Sequence, residues 1–270
     1  MWNIIGAGVF LWLIFACIDQ GCNGIGHKHP SRAQVQAAAA SESRSPALSS
    51  TAPVKQVRRG RVTSGSPSAI IVSVSRDFDV PAGALYGVWM KESGGLVSGW
   101  GSGRGWLPAS EQTAVASECR ANYAADKCER WWRALEVVCA QRRRDGSPVC
   151  DPGQVRTSYA LAMGPMQVLP TLLVSERGDG SYAWTDNVVD YDGDGAVDPH
   201  SLPDALAVAA KVIRRYFEEE RDWVRAVNRY YGSQTQGYFE GTDARLGVVD
   251  YWQRWCAVPG NCRGQLVASN

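Results

Sequence analysis

A mainly α-helical domain, preceded by an apolar N-terminal segment and a low-complexity linker, is the architecture predicted by this sequence of 270 residues. Three observations lead there. PDALAVAAKVIRRYFEE, residues 203–219, places Leu206, Ala209, Ala210, Ile213 and Phe217 on one face at the helical period. The next stretch, RDWVRAVNRYY at 221–231, continues the same pattern. Sustained apolar/polar alternation, the mark of half-buried strands, is nearly absent.

The chain begins MWNIIGAGVFLWLIFACIDQ, and residues 2–18 are apolar apart from Asn3, with no charge before Asp19. A core helix would keep a polar face, and this segment has none. It is short for spanning a bilayer and long for the apolar part of a signal peptide. Residues 1–23 therefore stand as a membrane anchor or as a signal that is cleaved or lipidated. IFAC, residues 14–17, loosely resembles a bacterial lipobox. Lys28 and Arg32 follow closely, which under the positive-inside rule argues against export of the remainder. Residues 24–67 are dominated by Ala, Ser, Pro and Arg and hold too few large apolar side chains to bury a core. They describe a flexible tether spanning roughly 35–40 Å.

The folded domain occupies residues 68–270. SAIIVSVSRDF reads as its first helix. Pro81 opens a second, which ends at Glu92 and carries Leu85, Val88 and Trp89 on one face. Residues 96–157 are irregular, rich in Gly, and carry four cysteines around a predicted helix, ADKCERWWRALEVVCAQRRR at 125–144.

Composition narrows the function classes. Lys and Arg number 28 against 27 Asp and Glu, so no basic excess argues for nucleic acid. Eleven Trp and ten Tyr serve either as core or as flat platforms for sugar rings. Cys17 and Cys22 belong to the N-terminal segment; Cys119, Cys128, Cys139, Cys150, Cys256 and Cys262 lie in the domain. None forms a CxxC pair and His is scarce, which disfavours zinc. Six spaced cysteines fit three disulfides in an oxidising compartment, with sequential pairing favoured because each loop is then short. Six reduced thiols in a cytosolic protein is the alternative.

Within GVWMKESGG, residues 87–95, Glu92 stands where the helix ends, at the end of an apolar stripe. A carboxyl group there is partly desolvated, so its pKa rises toward neutrality and it can donate a proton to a leaving oxygen. A helix that simply ends, with Glu92 turned to water, is the plainer reading. SYALAMGPMQVLP at 158–170 decides between them. Together with KES at 91–93 it resembles the lytic transglycosylases, murein-cleaving enzymes with a lysozyme-like helical fold. It is most similar to the membrane-bound lytic transglycosylase B type, whose SYAxAMGxxQxxP pattern is matched at every fixed position. The resemblance spans roughly residues 68–255.

DYDGDGAVDPHSLPD, residues 190–204, has the spacing of an EF-hand calcium loop. Asp190, Asp192, Asp194 and the carbonyl of Ala196 stand at positions 1, 3, 5 and 7, and Gly195 makes the sharp turn. The usual Glu at position 12 is replaced by Ser201, and Asp204 follows at position 15; Asp198 is a competing ligand. This enlarged loop resembles the structural Ca²⁺ site of the B type. An acidic turn without metal is the alternative. AVNRYYGSQTQGY, residues 226–238, resembles the Tyr-Asn segment lining the transglycosylase cleft. Tyr230 keeps the tyrosine, and Tyr231 stands where Asn is usual.

The resemblance implies a peptidoglycan lytic transglycosylase acting on the β-1,4 bond between N-acetylmuramic acid and N-acetylglucosamine. It implies Glu92 as acid and then base, and a 1,6-anhydro product. Ser93, Ser158, Tyr159, Met166, Gln167 and Tyr230 would contact substrate. The expected setting is the periplasmic face of the inner membrane, tethered or exported. Anchored transglycosylases serve secretion, pilus and conjugation systems, phage, and general wall turnover. One rival is a muramidase using water, which needs a second carboxylate such as Asp179 or Asp186. Another is a calcium-stabilised wall-binding protein without turnover.

Overall fold

Two prolines and two left-handed residues mark out the first helical pair. In the computed structural model, which describes residues 65–97, 119–152, 155, 157–158, 160–232, 237–242 and 245–262, helix α1 runs Pro67–Phe78. The Ser66 side chain accepts from the Ala69 N–H at its start, and Asp79 closes it at φ 53°. Helix α2, Ala82–Ser93, begins after Pro81 and ends at Gly94 in the left-handed conformation. Its predicted stripe is the buried one: Leu85, Val88 and Trp89 all lie in the core.

Helix α3, Ala125–Cys139, is shorter than the periodicity predicted. Residues 140–144 leave the helix, and the Cys139–Cys150 disulfide closes the chain back on itself there. The resulting small loop is tied by Val149 N–H to Gln141 O and Arg143 N–H to Ser147 O. Helix α4, Pro170–Leu173, leads into an antiparallel ribbon of β1, Val174–Glu176, and β2, Tyr182–Trp184, with Ser175 opposite Ala183. Helix α5, Leu202–Glu220, is the longest and packs on α1 and on helix α6, Trp223–Tyr231. Leu206, Ala209, Ala210 and Ile213 of its predicted stripe are fully buried, with Phe217 at the core margin. After the short helix α7, Gly237–Glu240, a two-residue ribbon pairs β3, Gly241–Thr242, with β4, Arg245–Leu246.

Helix α8, Val248–Ala257, was not anticipated from the sequence. It lies across α2 at close range: a Cβ on Gly83 would stand 2.0 Å from the Trp252 ring, and one on Gly87 2.6 Å from the Val248 carbonyl. Tyr86 and Trp255 add a ring contact at 4.9 Å. Small residues on α2 thus let α8 seat the helix that carries Glu92.

The three disulfides are Cys119–Cys128, Cys139–Cys150 and Cys256–Cys262, the sequential pairing. By contacts the chain divides into Met1–Ser50 and Thr51–Asn270, and every described residue belongs to the second unit. The N-terminal anchor, Cys17, Cys22 and nearly all of the linker lie outside the described residues. Among the described residues no helix is long and apolar enough to cross a membrane.

Candidate active site

The end of α2 is held in several ways at once. The Ser93 hydroxyl donates to the Trp89 carbonyl at 2.9 Å and accepts from the Leu96 N–H at 3.3 Å. Trp89 Nε1 donates to the Leu96 carbonyl at 2.6 Å, and the Gly94 N–H to the Met90 carbonyl. Ser93, expected to contact substrate, is therefore buried with its hydroxyl committed to backbone. Its role is to fix the last helical turn.

Glu92 projects from that turn, half-buried. Desolvation raises its carboxyl to about 7, against the smaller opposing effects of a hydrogen bond from Tyr238 and the charge of Lys91. The negative end of the helix acts in the same direction as desolvation. Tyr238 Oη donates to Glu92 Oε1 at 2.5 Å. Lys91 donates instead to the Leu246 carbonyl at 2.6 Å, and burial lowers its pKa. Glu92 is thus a carboxyl group shared between proton donor and acceptor near neutral pH, with a phenol holding one oxygen. Among the described residues, no second carboxylate perturbs it. Asp179 accepts from Ser181 at the exposed β1–β2 turn, and Asp186 is exposed.

Tyr238 is the site residue the sequence reading missed. It lies in the quoted stretch 226–238, but nothing in its spacing distinguishes it from a packing tyrosine. Asn228, buried in α6, accepts the Phe239 N–H at 3.0 Å and so places α7. That bond, eleven residues along the chain, aims Tyr238.

The SYALAMGPMQ segment folds into a compact knot. The Ser158 N–H donates to the Ala162 carbonyl, while the Ser158 hydroxyl accepts the Ala162 N–H at 3.0 Å. Met163 bridges to both Thr157 and Val168. Gly164 turns the chain at φ 66°, and Gln167 follows at φ 51° with its amide donating to the Gly164 carbonyl at 3.2 Å. Met166 is fully buried, so it offers a carbonyl to the Tyr230 hydroxyl at 2.7 Å and no side chain to a ligand. The Glu92 charge adds to burial in raising the Tyr230 phenol. Tyr159 lies outside the described residues.

The acidic loop packs directly behind this knot. A Cβ on Gly164 would stand 1.6 Å from the Pro199 carbonyl oxygen. Asp190, Asp192 and Asp204 bring carboxylate oxygens within 4.8 Å of one another. Asp204 accepts N–H groups from Tyr191, Asp192 and Asp198. Asp190 Oδ1 is buried without a partner. Desolvation drives all three carboxyls upward, Asp204 most. Asp194 departs from the expected set. Arg143, on the Cys139–Cys150 loop, binds Asp194 at 3.0 Å and Asp198 at 2.6 Å, drawing both away as counter-ions. The Ala196 N–H is taken by Asp194 Oδ1. An orphaned buried carboxylate oxygen among three acids is a donor set that fits a hard cation.

A helix-end acid near neutrality, a knotted SYALAMG loop and a tyrosine-bearing helix against it form one arrangement. The model for the transglycosylase SLT domain matches residues 32–261. The chain belongs to the transglycosylase SLT domain family. Family membership makes it a lytic transglycosylase whose substrate is the glycan strand of peptidoglycan, and accounts for the lysozyme-like helical fold. No curated protein and no solved structure matches the chain significantly.

Proposed function

We propose that the protein is a lytic transglycosylase of the membrane-bound B type that cleaves the bond between N-acetylmuramic acid and N-acetylglucosamine with Glu92 as its single acid and base. The carrying observation is the Glu92 carboxyl, raised to about 7 and held by Tyr238. Protonated Glu92 gives its proton to the glycosidic oxygen as the bond to C1 breaks, and N-acetylglucosamine leaves with a free hydroxyl. Charge develops at C1 in an oxocarbenium-like state. The muramic acid C6 hydroxyl then attacks C1 and returns its proton to Glu92. The enzyme is reset, no water is consumed, and the product carries a 1,6-anhydro ring. Attack from within the same sugar carries the entropic advantage of an intramolecular reaction.

The remaining residues position this chemistry. Ser93 anchors the helix end, Ser158 and Gln167 shape the knot, and Met166 with Tyr230 locks the knot to α6. Asp190, Asp192 and Asp204 would hold a structural Ca²⁺ behind the knot; a bound ion there supplies charge neutralisation and takes no part in bond cleavage. Export, with tethering through the N-terminal apolar run, belongs to the same proposal and is supported by the three disulfides.

Mass analysis of digested glycan strands tests the reaction, since the anhydro product is one water lighter than a hydrolytic one. Hydrated ends alone would replace this reading with the muramidase. Glu92→Gln keeps shape but cannot donate, so turnover should fall at least about 10²-fold.

A further inference from the structure

Tyr231 ends α6 and is 44% exposed, one of few large apolar or aromatic side chains left open among the described residues. Its ring lies flat on Tyr238, with centroids 4.3 Å apart and planes within 7°. Tyr238 is the phenol bound to Glu92. An exposed ring therefore sits one stacking distance from the residue that grips the acid. The next residue, Gly232, adopts a left-handed C-cap, ending the helix at that ring.

A second exposed tyrosine lies in a different part of the chain. Tyr123, 37% exposed, lies within the segment closed by the Cys119–Cys128 disulfide. Its edge meets Trp131 at 5.0 Å, and Lys127 lies over both rings. Burial raises the Tyr231 phenol, and the charges of Glu92 and Tyr123 act in the same direction. Tyr231 thus leaves one aromatic face open to water a single stacking contact away from the phenol that holds Glu92.

We propose that Tyr231 is a sugar platform: its outer face, backed by Tyr238, stacks on a pyranose ring of the glycan strand beside the bond being cleaved. A pyranose presents a face of axial C–H groups that matches a flat ring. Tyr238 holds that ring rigid, so little freedom is lost on binding. Stacking along one face leaves the sugar hydroxyls at its edge free to reach polar groups. This inference rests on Glu92 being the acid, because the platform is placed relative to it.

The test uses the intact protein with isolated glycan strands lacking peptide stems. Two readings are taken: kcat and KM in the active protein, and Kd for the strands in a Glu92→Gln background that binds without cleaving. Tyr231→Ala and Tyr231→Leu should each raise KM and Kd about tenfold, the worth of one aromatic stacking contact. Leu keeps apolar bulk but not the flat face, so its failure to rescue is expected. Tyr231→Phe should restore both values to near wild type, since the ring and not the hydroxyl is used. Unchanged Kd and KM in the Ala variant would overturn the platform. A fall in kcat with unchanged Kd, or a moved pH profile, would also overturn it, showing a mere prop for Tyr238. Undiminished turnover in Glu92→Gln would instead remove the acid assignment, and the KM of the Tyr231 variants in the active protein would still read the stacking contact.

Discussion

At the scale of single residues, with Glu92 as the proposed acid, its contact with Tyr238 sets both the pH at which the enzyme works and what the site costs. The Tyr238 hydroxyl donates to the carboxylate, which favours the ionised form; burial opposes it and wins, leaving the group at about 7. An acid must be protonated to act, so kcat/KM should fall as pH rises through about 7. Tyr238→Phe removes the donor. The limb should then move to higher pH by about one unit, a scale set by a hydrogen bond to a charged group. A limb that stays in place would detach Tyr238 from the acid. The same group bears on stability. Its folded pKa lies above its unfolded value of 4.5, so its contribution is fully favourable below that value and is lost as pH rises through about 7. Glu92→Gln should therefore match wild type in thermal unfolding at pH 4. At pH 8 it should be more stable by about 1–3 kcal/mol.

Among elements, the knot at 157–168 and the acidic loop behave as one body because Gly164 has no side chain. At φ 66° and pressed against Pro199, it meets two constraints at once. Gly164→Ala should cost more than about 2 kcal/mol, whereas Gly180→Ala, also left-handed but with open space around it, should cost about 1 kcal/mol. Chemical denaturation of both variants reads the difference, and equal costs would mean that the two loops are not in contact. Legibility from sequence divides along the same line. Helices α1, α2, α5 and α6 were readable because each buries a stripe set by local period, and Ser66, Pro81 and Gly94 punctuate them nearby. Helix α8 carries such a stripe in Val248, Trp252 and Trp255, yet falls where the recognised motifs end. The end of α3 was not readable. It is decided by Gln141 bonded through both amide atoms to the Val197 backbone and by Arg143 on Asp194 and Asp198, partners more than fifty residues away. Tyr238 was hidden for the same reason, since its partner lies at a separation of 146.

Across the whole molecule, the acidic loop joins three regions that are distant in sequence. Arg143 reaches it from the Cys139–Cys150 loop, Gly164 packs on it from the knot at 157–168, and Asp204 belongs to the first turn of α5, the core helix. A cation bound by Asp190, Asp192 and Asp204 would tighten all three, so its effect should be read in global unfolding and not in the chemistry of Glu92. The sign of one substitution distinguishes a cation site from a polar turn. Asp190→Asn preserves shape while removing one of three crowded negative charges and the charge on the unpartnered Oδ1. Under chelator, that relief should leave the variant as stable as wild type or more so. With Ca²⁺ at about 100 times its dissociation constant, wild type should gain roughly 2.7 kcal/mol. For a domain of this size the melting temperature should rise by about 5–10 °C. The variant should gain little, so the order of the two proteins reverses between conditions. Kinetic constants measured well below the melting temperature should change far less than stability does, because the ion stands behind the knot. If Asp190→Asn is the less stable protein in chelator and in Ca²⁺ alike, with wild type indifferent to the metal, Asp190 serves through its hydrogen bond to the Gly195 N–H. Arg143 would then be the counter-ion that the loop was built around.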